Sequence, residues 1–352
     1  AELYRARRGV PGLVAFPSPR AFQVDERHGA WLNHNVQLAA GTKLTTSLNW
    51  LDSNRDYDDR FAFFPSVAQH DNRQLSGEVL ATFTVAGGHQ AVFGADWRRD
   101  DITSSTDGRH HRITGGLFGQ YEVGLGSFTL TPSARVDWQT AQKPIFTPRI
   151  GATWRAAHNL TMRAGANRSF RAPSFDDLYW PSDAYAVGNP NLVPERAVEW
   201  NVGLGWQPWH GASVDLDYYN RDAAQLITWQ PVGGGKWSPT NIGRVRFQGI
   251  EASLETPLPW LAKWSLSGSY AYLKATTHSG SAAEQGKQLI ARPYHQGSAT
   301  LMYRASSFDA GLTATAVGDR YTTAANTQRL GSYLTLDLTA HWRYDQRDSL
   351  TL

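Results

Sequence analysis

The chain has 352 residues, with 34 Lys and Arg against 31 Asp and Glu, a formal net charge of +3 and no cysteine. That balance lacks the clustered basic footprint needed to track a phosphate backbone, so no nucleic-acid partner is expected. Without thiols, disulfides, thiolate metal sites and cysteine nucleophiles are excluded. The aromatic load is heavy, at 14 Trp, 14 Tyr and 14 Phe, yet no stretch approaches the roughly 20 apolar residues of a membrane helix. A membrane barrel uses aromatics and glycines in this way because only alternate residues face lipid; a soluble all-β protein fits the same totals.

In chain order, residues 1–8 (AELYRARR) read as strand rather than as a charged head followed by an apolar leader. Period-2 alternation then recurs almost throughout. The run 127–138 is of membrane length. Trp200, Val202, Leu204 and Trp206 alternate with Glu199, Asn201, Gly203 and Gly205, and Val214, Leu216 and Tyr218 with Ser213, Asp215 and Asp217. Trp264, Leu266, Tyr270 and Tyr272 oppose Ser265, Ser267 and Ser269. The run 334–344 places Leu334, Leu336, Leu338, Ala340, Trp342 and Tyr344 on one face. Alternate side chains point to opposite faces of a strand, so each run has an apolar and a polar side. Soluble strands are typically about 5–6 residues, whereas a tilted membrane strand needs about 9–11. Trp50, Trp138, Trp154, Trp206, Trp342 and Tyr344 sit at run ends, as interfacial girdles do.

Tight connections at 39–42, 87–88, 158–159, 208–211 and 345–348 alternate with long polar ones at 55–70, 102–110, 170–195, 230–241, 276–289 and 322–331. This is the rhythm of an all-β, transmembrane antiparallel up-and-down barrel with short periplasmic turns and longer external loops. The count comes to about 16 or 17 strands, too many for side chains to fill the interior, which leaves a channel or a plug. A soluble propeller or stacked β-repeat is the competing architecture; strand length and turn rhythm fit it poorly. The final DSLTL stops as a strand begins, so both ends read as cut.

The segment 168–199, RSFRAPSFDDLYWPSDAYAVGNPNLVPERAVE, resembles the middle-barrel segment of TonB-dependent outer-membrane receptors, most closely the cobalamin receptors. It carries Ser169-Phe170-Arg171-Ala172-Pro173, Leu178-Tyr179 and Asn189-Pro190-Asn191-Leu192 followed by Pro194-Glu195. The resemblance continues through Asp217 to Asp222, Leu226-Ile227, Asn241-Ile242-Gly243 and Gly249-Ile250-Glu251. It also takes in Gly9-Val10-Pro11-Gly12 upstream and Tyr333 to Tyr344 downstream. It implies one barrel domain over 1–352, a piece of a 22-stranded plugged wall lacking the plug, the first strands and most of the last two. It further implies a monomer among outer-membrane lipid and lipopolysaccharide, importing a scarce nutrient with energy from TonB reached through the missing plug.

Prolines 173 and 190 end strand pairing and Gly188-Asn189-Pro190 makes a turn, so the conserved-looking boxes also suit a purely geometric role. The intervening tip, Trp180 to Tyr185, is expected to project outward and meet ligand. Tyr179, Trp180, Tyr185, Trp229 and Trp237 are the candidate substrate-binding residues, because aromatic faces bury a large planar ligand at modest entropic cost. Residues 174–188 contain no His where haem receptors of the family carry one, which demotes haem; His70, His110 and His111 lie elsewhere. External cations are scattered, which favours cobalamin over an anionic ferric siderophore, the alternative. Asp25, Asp56, Asp58 and Asp59 offer hard oxygens for calcium, similar to the acidic loops of cobalamin receptors; a solvated acidic loop paired with Arg55 and Arg60 is the competing reading. No covalent cofactor is expected. Nothing resembles a nucleophile elbow or a catalytic dyad, so no catalytic residue is assigned. A passive porin-like channel is the remaining alternative class.

Overall fold

A computed structural model describes residues 1–10, 12–13, 16–62, 65–140, 142–183, 185–343 and 349–351. Seventeen strands form one sheet. They are β1 (Glu2–Gly9), β4 (Phe22–Ala39), β5 (Thr42–Asp59), β6 (Ser66–Thr84), β7 (Gln90–Ser104), β8 (Gly108–Leu125), β9 (Phe128–Gln139), β10 (Ile145–Ala157), β11 (Leu160–Arg171), β12 (Glu195–Trp206), β13 (Ser213–Pro231), β14 (Trp237–Pro257), β15 (Trp264–Thr277), β16 (His295–Arg304), β17 (Phe308–Val317), β20 (Tyr333–Arg343) and β21 (Ser349–Thr351). Two short hairpins stand apart, β2 (Gly12–Leu13) with β3 (Phe16–Pro17) and β18 (Arg320–Tyr321) with β19 (Arg329–Leu330). Each sheet strand pairs antiparallel with the next one in the chain, from β1–β4 through β20–β21. No helix of the described residues is long and apolar enough to cross a membrane.

Alternation sets the two faces. Cross-strand partners share a face, so the register Met162↔Leu204, Ala164↔Val202 and Ala166↔Trp200 continues an apolar outer surface into Leu216, Tyr218 and Ile250. The opposite, inner face carries Arg163, Asp215 and Asp217. Arg163 bridges both carboxylates at 3.0 and 2.9 Å, and Arg135 holds Asp137 at 2.7 Å. Outward-facing Trp50, Trp138, Trp154 and Trp206 are all between 40 and 44% exposed, which fits residues sheathed by lipid rather than protein. Tyr344 and the 345–348 turn lie outside the described residues.

The tight turns sit at one end of the sheet, as read from sequence, and the loops at the other. Several loops are shorter than expected. Within 55–70, β5 persists to Asp59 and β6 resumes at Ser66; within 102–110 only three residues separate β7 from β8; within 230–241, β13 ends at Pro231 and β14 starts at Trp237. The reason is physical. Strands of 18 to 21 residues outrun the lipid band. Beyond it both faces meet water, apolar alternation stops, and the hydrogen-bond ladder continues regardless.

The tightest packing is at this loop-bearing end. Pro173, Pro239, Val245, Ala275, Gln288 and Leu192 are fully or almost fully buried. Full burial of a side chain such as Val245 is worth about 1.5–3 kcal/mol. Gln288 accepts from the Ala275 amide at 2.8 Å and donates to the Leu273 carbonyl at 3.2 Å, tying the 278–294 connection to the edge of β15.

Candidate functional site

Between β11 and β12 the chain leaves the wall and builds a cap. Pro173 cannot donate to the ladder, so pairing ends there. Ser174 then caps a one-turn helix, α1 (Phe175–Tyr179), in a reciprocal capping box: its hydroxyl accepts from the Asp177 amide at 3.1 Å, and the Asp177 carboxylate accepts from the Ser174 amide at 3.1 Å. Asp177 is 8% exposed and its second oxygen accepts from the Trp229 indole at 3.3 Å. One side chain thus closes the helix and ties it to β13.

On the opposite flank, Arg112 of β8 donates to the Pro173 carbonyl at 2.9 Å and lies 4.7 Å from the Phe175 ring. His110 stacks on Tyr179 with ring centroids 3.6 Å apart and planes 2° from parallel. His110 and Arg112 share the inner face of β8 while His111 points outward, because Ile102 pairs with His110 and Asp100 with Arg112.

The tip is bound rather than free. Asp183 accepts from the Trp180 indole at 3.1 Å and from the Tyr185 and Ala186 amides at 2.7 and 2.6 Å. These donors hold its carboxyl below the usual carboxylate range, the Tyr185 amide foremost. Ala186 forms a parallel bridge with Trp237, whose amide donates to the Tyr185 carbonyl at 2.7 Å. Lys236 donates to Ser182 at 2.8 Å. The segment Trp180 to Tyr185, expected to project outward and meet ligand, is stitched to the β13–β14 hairpin. Asn189 donates to the Pro239 carbonyl at 3.1 Å, and Asn241 exchanges hydrogen bonds with both Val193 backbone groups at 2.9 Å.

The five aromatic candidates all lie in the cap and the β13–β14 hairpin joined to it, with Tyr179 stacked on His110 and Tyr185 tied to Trp237 through the backbone. Trp180 meets Trp229 edge-on at 6.1 Å, and Tyr179, Tyr185 and Trp237 are 36, 65 and 50% exposed. Cations beside them are engaged: Arg171 with Glu195 at 2.6 Å, Arg221 with Glu199, and Arg98 with Asp100 at 2.7 Å. Below the cap the inner wall opens on a hollow of about 980 Å³ lined by polar groups including Arg149, Arg163, Asn167, Asn201 and Asp217.

The four calcium candidates do not converge. Asp25 pairs with Arg55 across the ladder and shares a strand face with Asp59, whereas Asp56 and Asp58 point to the other side of β5. Asp25 is taken by Arg55 at 2.9 Å, Arg8 at 3.0 Å and Gln23 at 2.8 Å, and Asp58 by Arg60. Among the described residues no group of three or more candidate ligands is placed to hold a metal ion. These carboxylates do not fit one ion. Sequence reasoning missed His110, Asp177 and the asparagine braces. For His110 and Arg112 a signal existed, the period-2 parity of β8; for Asp177 it was the S-x-x-D capping pattern at 174–177.

Comparison with known proteins agrees with this geometry. The family model "TonB dependent receptor-like, beta-barrel" matches residues 4–352. The vitamin B12 transporter BtuB of Photobacterium profundum is 28% identical over 95% of this chain and 61% of its own length. An iron-regulated outer membrane virulence protein of Vibrio cholerae is 26% identical over 65% of this chain and 36% of its own length. Among solved structures, a ferric enterobactin receptor (PfeA) of Pseudomonas aeruginosa superposes with TM-score 0.77 at 17% identity, covering 94% of this chain and 56% of that one. The siderophore receptor PiuA of Acinetobacter baumannii gives TM-score 0.77 at 14% identity, over 96% of this chain and 60% of that one. The chain thus spans about three-fifths of the first of these relatives.

Proposed function

Since the chain belongs to the TonB-dependent receptor β-barrel family and forms outer-membrane wall, we propose that the whole protein is an import receptor whose external cap captures cobalamin. The observation that carries this reading is the grouping of Tyr179, Trp180, Tyr185, Trp229 and Trp237 in and beside the cap, with Arg171 and Arg221 paired to carboxylates and Arg112 and Lys236 bonded to a carbonyl and a hydroxyl. Neutral aromatic faces suit a large, weakly charged ligand with planar surfaces. An anionic ferric chelate calls instead for unpaired cations aimed at it. The printed name of the Photobacterium relative points the same way; that of the Vibrio cholerae relative keeps a ferric ligand as the second reading.

In this mechanism no bond of the substrate changes. The cap binds, braced on one flank by Arg112 and His110 and on the other by the β13–β14 hairpin, so its aromatics are positioned before ligand arrives. The ion-paired inner wall provides a rigid polar lumen for the passage below. Opening that passage is assigned to a plug and a TonB complex acting through parts of the protein beyond this chain.

The test is a titration of the full-length receptor in detergent, read by intrinsic Trp fluorescence. Saturable quenching by cyanocobalamin, lost in Trp229→Ala, is the expected result. Saturation by a ferric catecholate chelate with no response to micromolar cyanocobalamin would replace cobalamin by a siderophore.

A further inference from the structure

The outer face of the wall is electrically lopsided above its apolar belt. On β1 and β4 to β7, outward cations are matched by acids: Arg5 pairs with Glu26 at 3.0 Å, Arg73 with Asp52 at 3.7 Å and Arg99 with Asp101 at 2.8 Å. Asp56, Asp58 and Asp71 lie on that same face. On β11 to β15 the pattern reverses. Arg196, Ala224 and Arg244 stand in one cross-strand row. The next row holds Arg168, Val198, Asp222 and Arg246, and Lys274 follows opposite Gln248. Five cations on β11, β12, β14 and β15 thus face outward around one carboxylate, Asp222 of β13, which Arg246 holds at 2.8 Å. Among the described residues Arg168, Arg196, Arg244 and Lys274 have no side-chain hydrogen bond or ion pair.

Like charges on adjacent strands repel and cost stability unless something neutralises them. The position of this patch indicates what does so. Trp200 shares the row of Lys274, and the next row toward the short-turn end is Val202, Tyr218, Ile250 and Tyr272. Trp200 and Tyr218 are in ring contact at 5.3 Å. The patch therefore sits at the level where headgroups of the outer leaflet meet the hydrocarbon. Arg196 and Arg244 are two ladders apart, roughly 10 Å, and arginine guanidinium is the group suited to bidentate phosphate binding.

We propose that Arg168, Arg196, Arg244, Arg246 and Lys274 form a binding site for a phosphorylated glycolipid of the outer leaflet, its phosphates on the cations and its acyl chains along Trp200, Val202, Tyr218 and Ile250. This rests on the reading of the chain as outer-membrane wall and is independent of the identity of the imported ligand. The site gives the barrel one preferred lipid contact on the flank that carries the cap hairpin.

The experiment is native mass spectrometry of the full-length receptor in detergent, titrated with purified bis-phosphorylated lipid A, its mono-phosphorylated form, or inorganic phosphate. The variants are the quadruple Arg168→Gln, Arg196→Gln, Arg244→Gln, Arg246→Gln, its Arg→Lys counterpart, and the opposite-flank control Arg5→Gln, Arg73→Gln, Arg99→Gln. Heat-modifiable gel migration reports whether each barrel is folded. The expected result is a retained bis-phosphorylated adduct in the wild type and control. The mono-phosphorylated adduct should be weaker, and the Gln quadruple should lose at least about tenfold in apparent affinity, the scale of losing charge-assisted bonds, with the Lys variant in between. Equal retention by the Gln quadruple, equal loss in the control, or displacement of the lipid by millimolar inorganic phosphate would overturn the proposal. If the Gln quadruple does not fold, the Lys variant decides: retention at wild-type strength, with no mono-phosphate discrimination, overturns the site. Cyanocobalamin titration of the same samples separates this outcome from failure of the substrate reading.

Discussion

Gly188 shows how closely the cap is packed against itself. A Cβ there would lie 2.6 Å from the Trp180 amide nitrogen and 2.9 Å from the Leu178 carbonyl carbon and oxygen. These are backbone atoms that cannot swing away. Gly188→Ala is therefore expected to break the Gly188 amide bond to the Trp180 carbonyl, now 2.9 Å, and to cost about 1–3 kcal/mol of local strain. Near-UV circular dichroism of the full receptor should lose the Trp180–Trp229 contribution, and ligand affinity should fall. Gly124→Ala, where a Cβ meets nothing within 4 Å, is the neutral comparison. Asp183 supplies a pH prediction. Its carboxyl is held below the ordinary value of 3.8 by the Tyr185 amide, the Trp180 indole and the Ala186 amide, so the folded tip favours the charged form. The stabilisation is complete above pH 3.8 and disappears as pH falls through the lowered value. Amide-exchange protection at Tyr185 and Ala186, corrected for intrinsic rate, should be flat from pH 8 to about 5 and fall only below about 4. Asp183→Asn should start with lower protection and show no such step; a step persisting in that variant would assign it to another group.

At the scale of the element, the β13–β14 hairpin and the cap behave as one unit, and Asn241 is the joint. Gln225 adopts a left-handed backbone, φ 61°, and drops out of the pairing between Ala224↔Arg244 and Leu226↔Ile242, with the register the same on either side. The Gln225 carbonyl, left unpaired by the ladder there, accepts from Asn241 at 2.8 Å, and the same amide group secures both polar atoms of Val193. Asn241→Ala removes three hydrogen bonds at a partly wet site, about 1–3 kcal/mol in sum. Hydrogen exchange at the Val193 amide should accelerate between about fivefold and a hundredfold, with the β12–β13 ladder unchanged. Uniform acceleration along β12 would instead make Asn241 a determinant of the wall. Much of this unit was open to inspection in the sequence: Pro173, the S-x-x-D cap and the 188–190 turn mark where the strand stops and the cap is built. Its attachment to Trp237 and Pro239 was not, because a parallel bridge and side-chain bonds to carbonyls some 50 residues away leave no periodic trace. The same limit explains the loops. The hydrogen-bond ladder of β5, β7 and β13 outlasts their apolar alternation, so their outer thirds look like loop when only hydropathy is read. The calcium candidates failed to converge for a related reason: Asp56, Asp58 and Asp59 are neighbours in sequence, but a strand sends consecutive carboxylates to opposite faces.

For the whole molecule, the legible part is the alternation itself, since lipid imposes it on every strand that crosses. The apolar outer residues of β12, from Val198 to Trp206, span eight intervals, about 27 Å along the strand. Tilted by about 45°, they cover about 19 Å, close to the roughly 25 Å apolar band of such barrels. Val202 lies at the middle of that stretch and faces outward, 46% exposed, while its neighbour Asn201 lines the polar hollow inside. The two positions share a depth and differ only in face. Val202→Arg should therefore destabilise the full-length receptor by about 2–4 kcal/mol, the cost of a cation at the bilayer midplane. Asn201→Lys should change stability by less than about 1 kcal/mol, because the lumen beside it already holds Glu199, Asp217 and water-accessible space. Urea unfolding in lipid vesicles, followed by heat-modifiable migration, measures both. Equal penalties would mean that Val202 does not face hydrocarbon and that the assignment of the two faces is wrong. A large penalty at Val202 alone would fix the orientation of β11 to β15, because the constant register across those strands transmits that one parity to each of them.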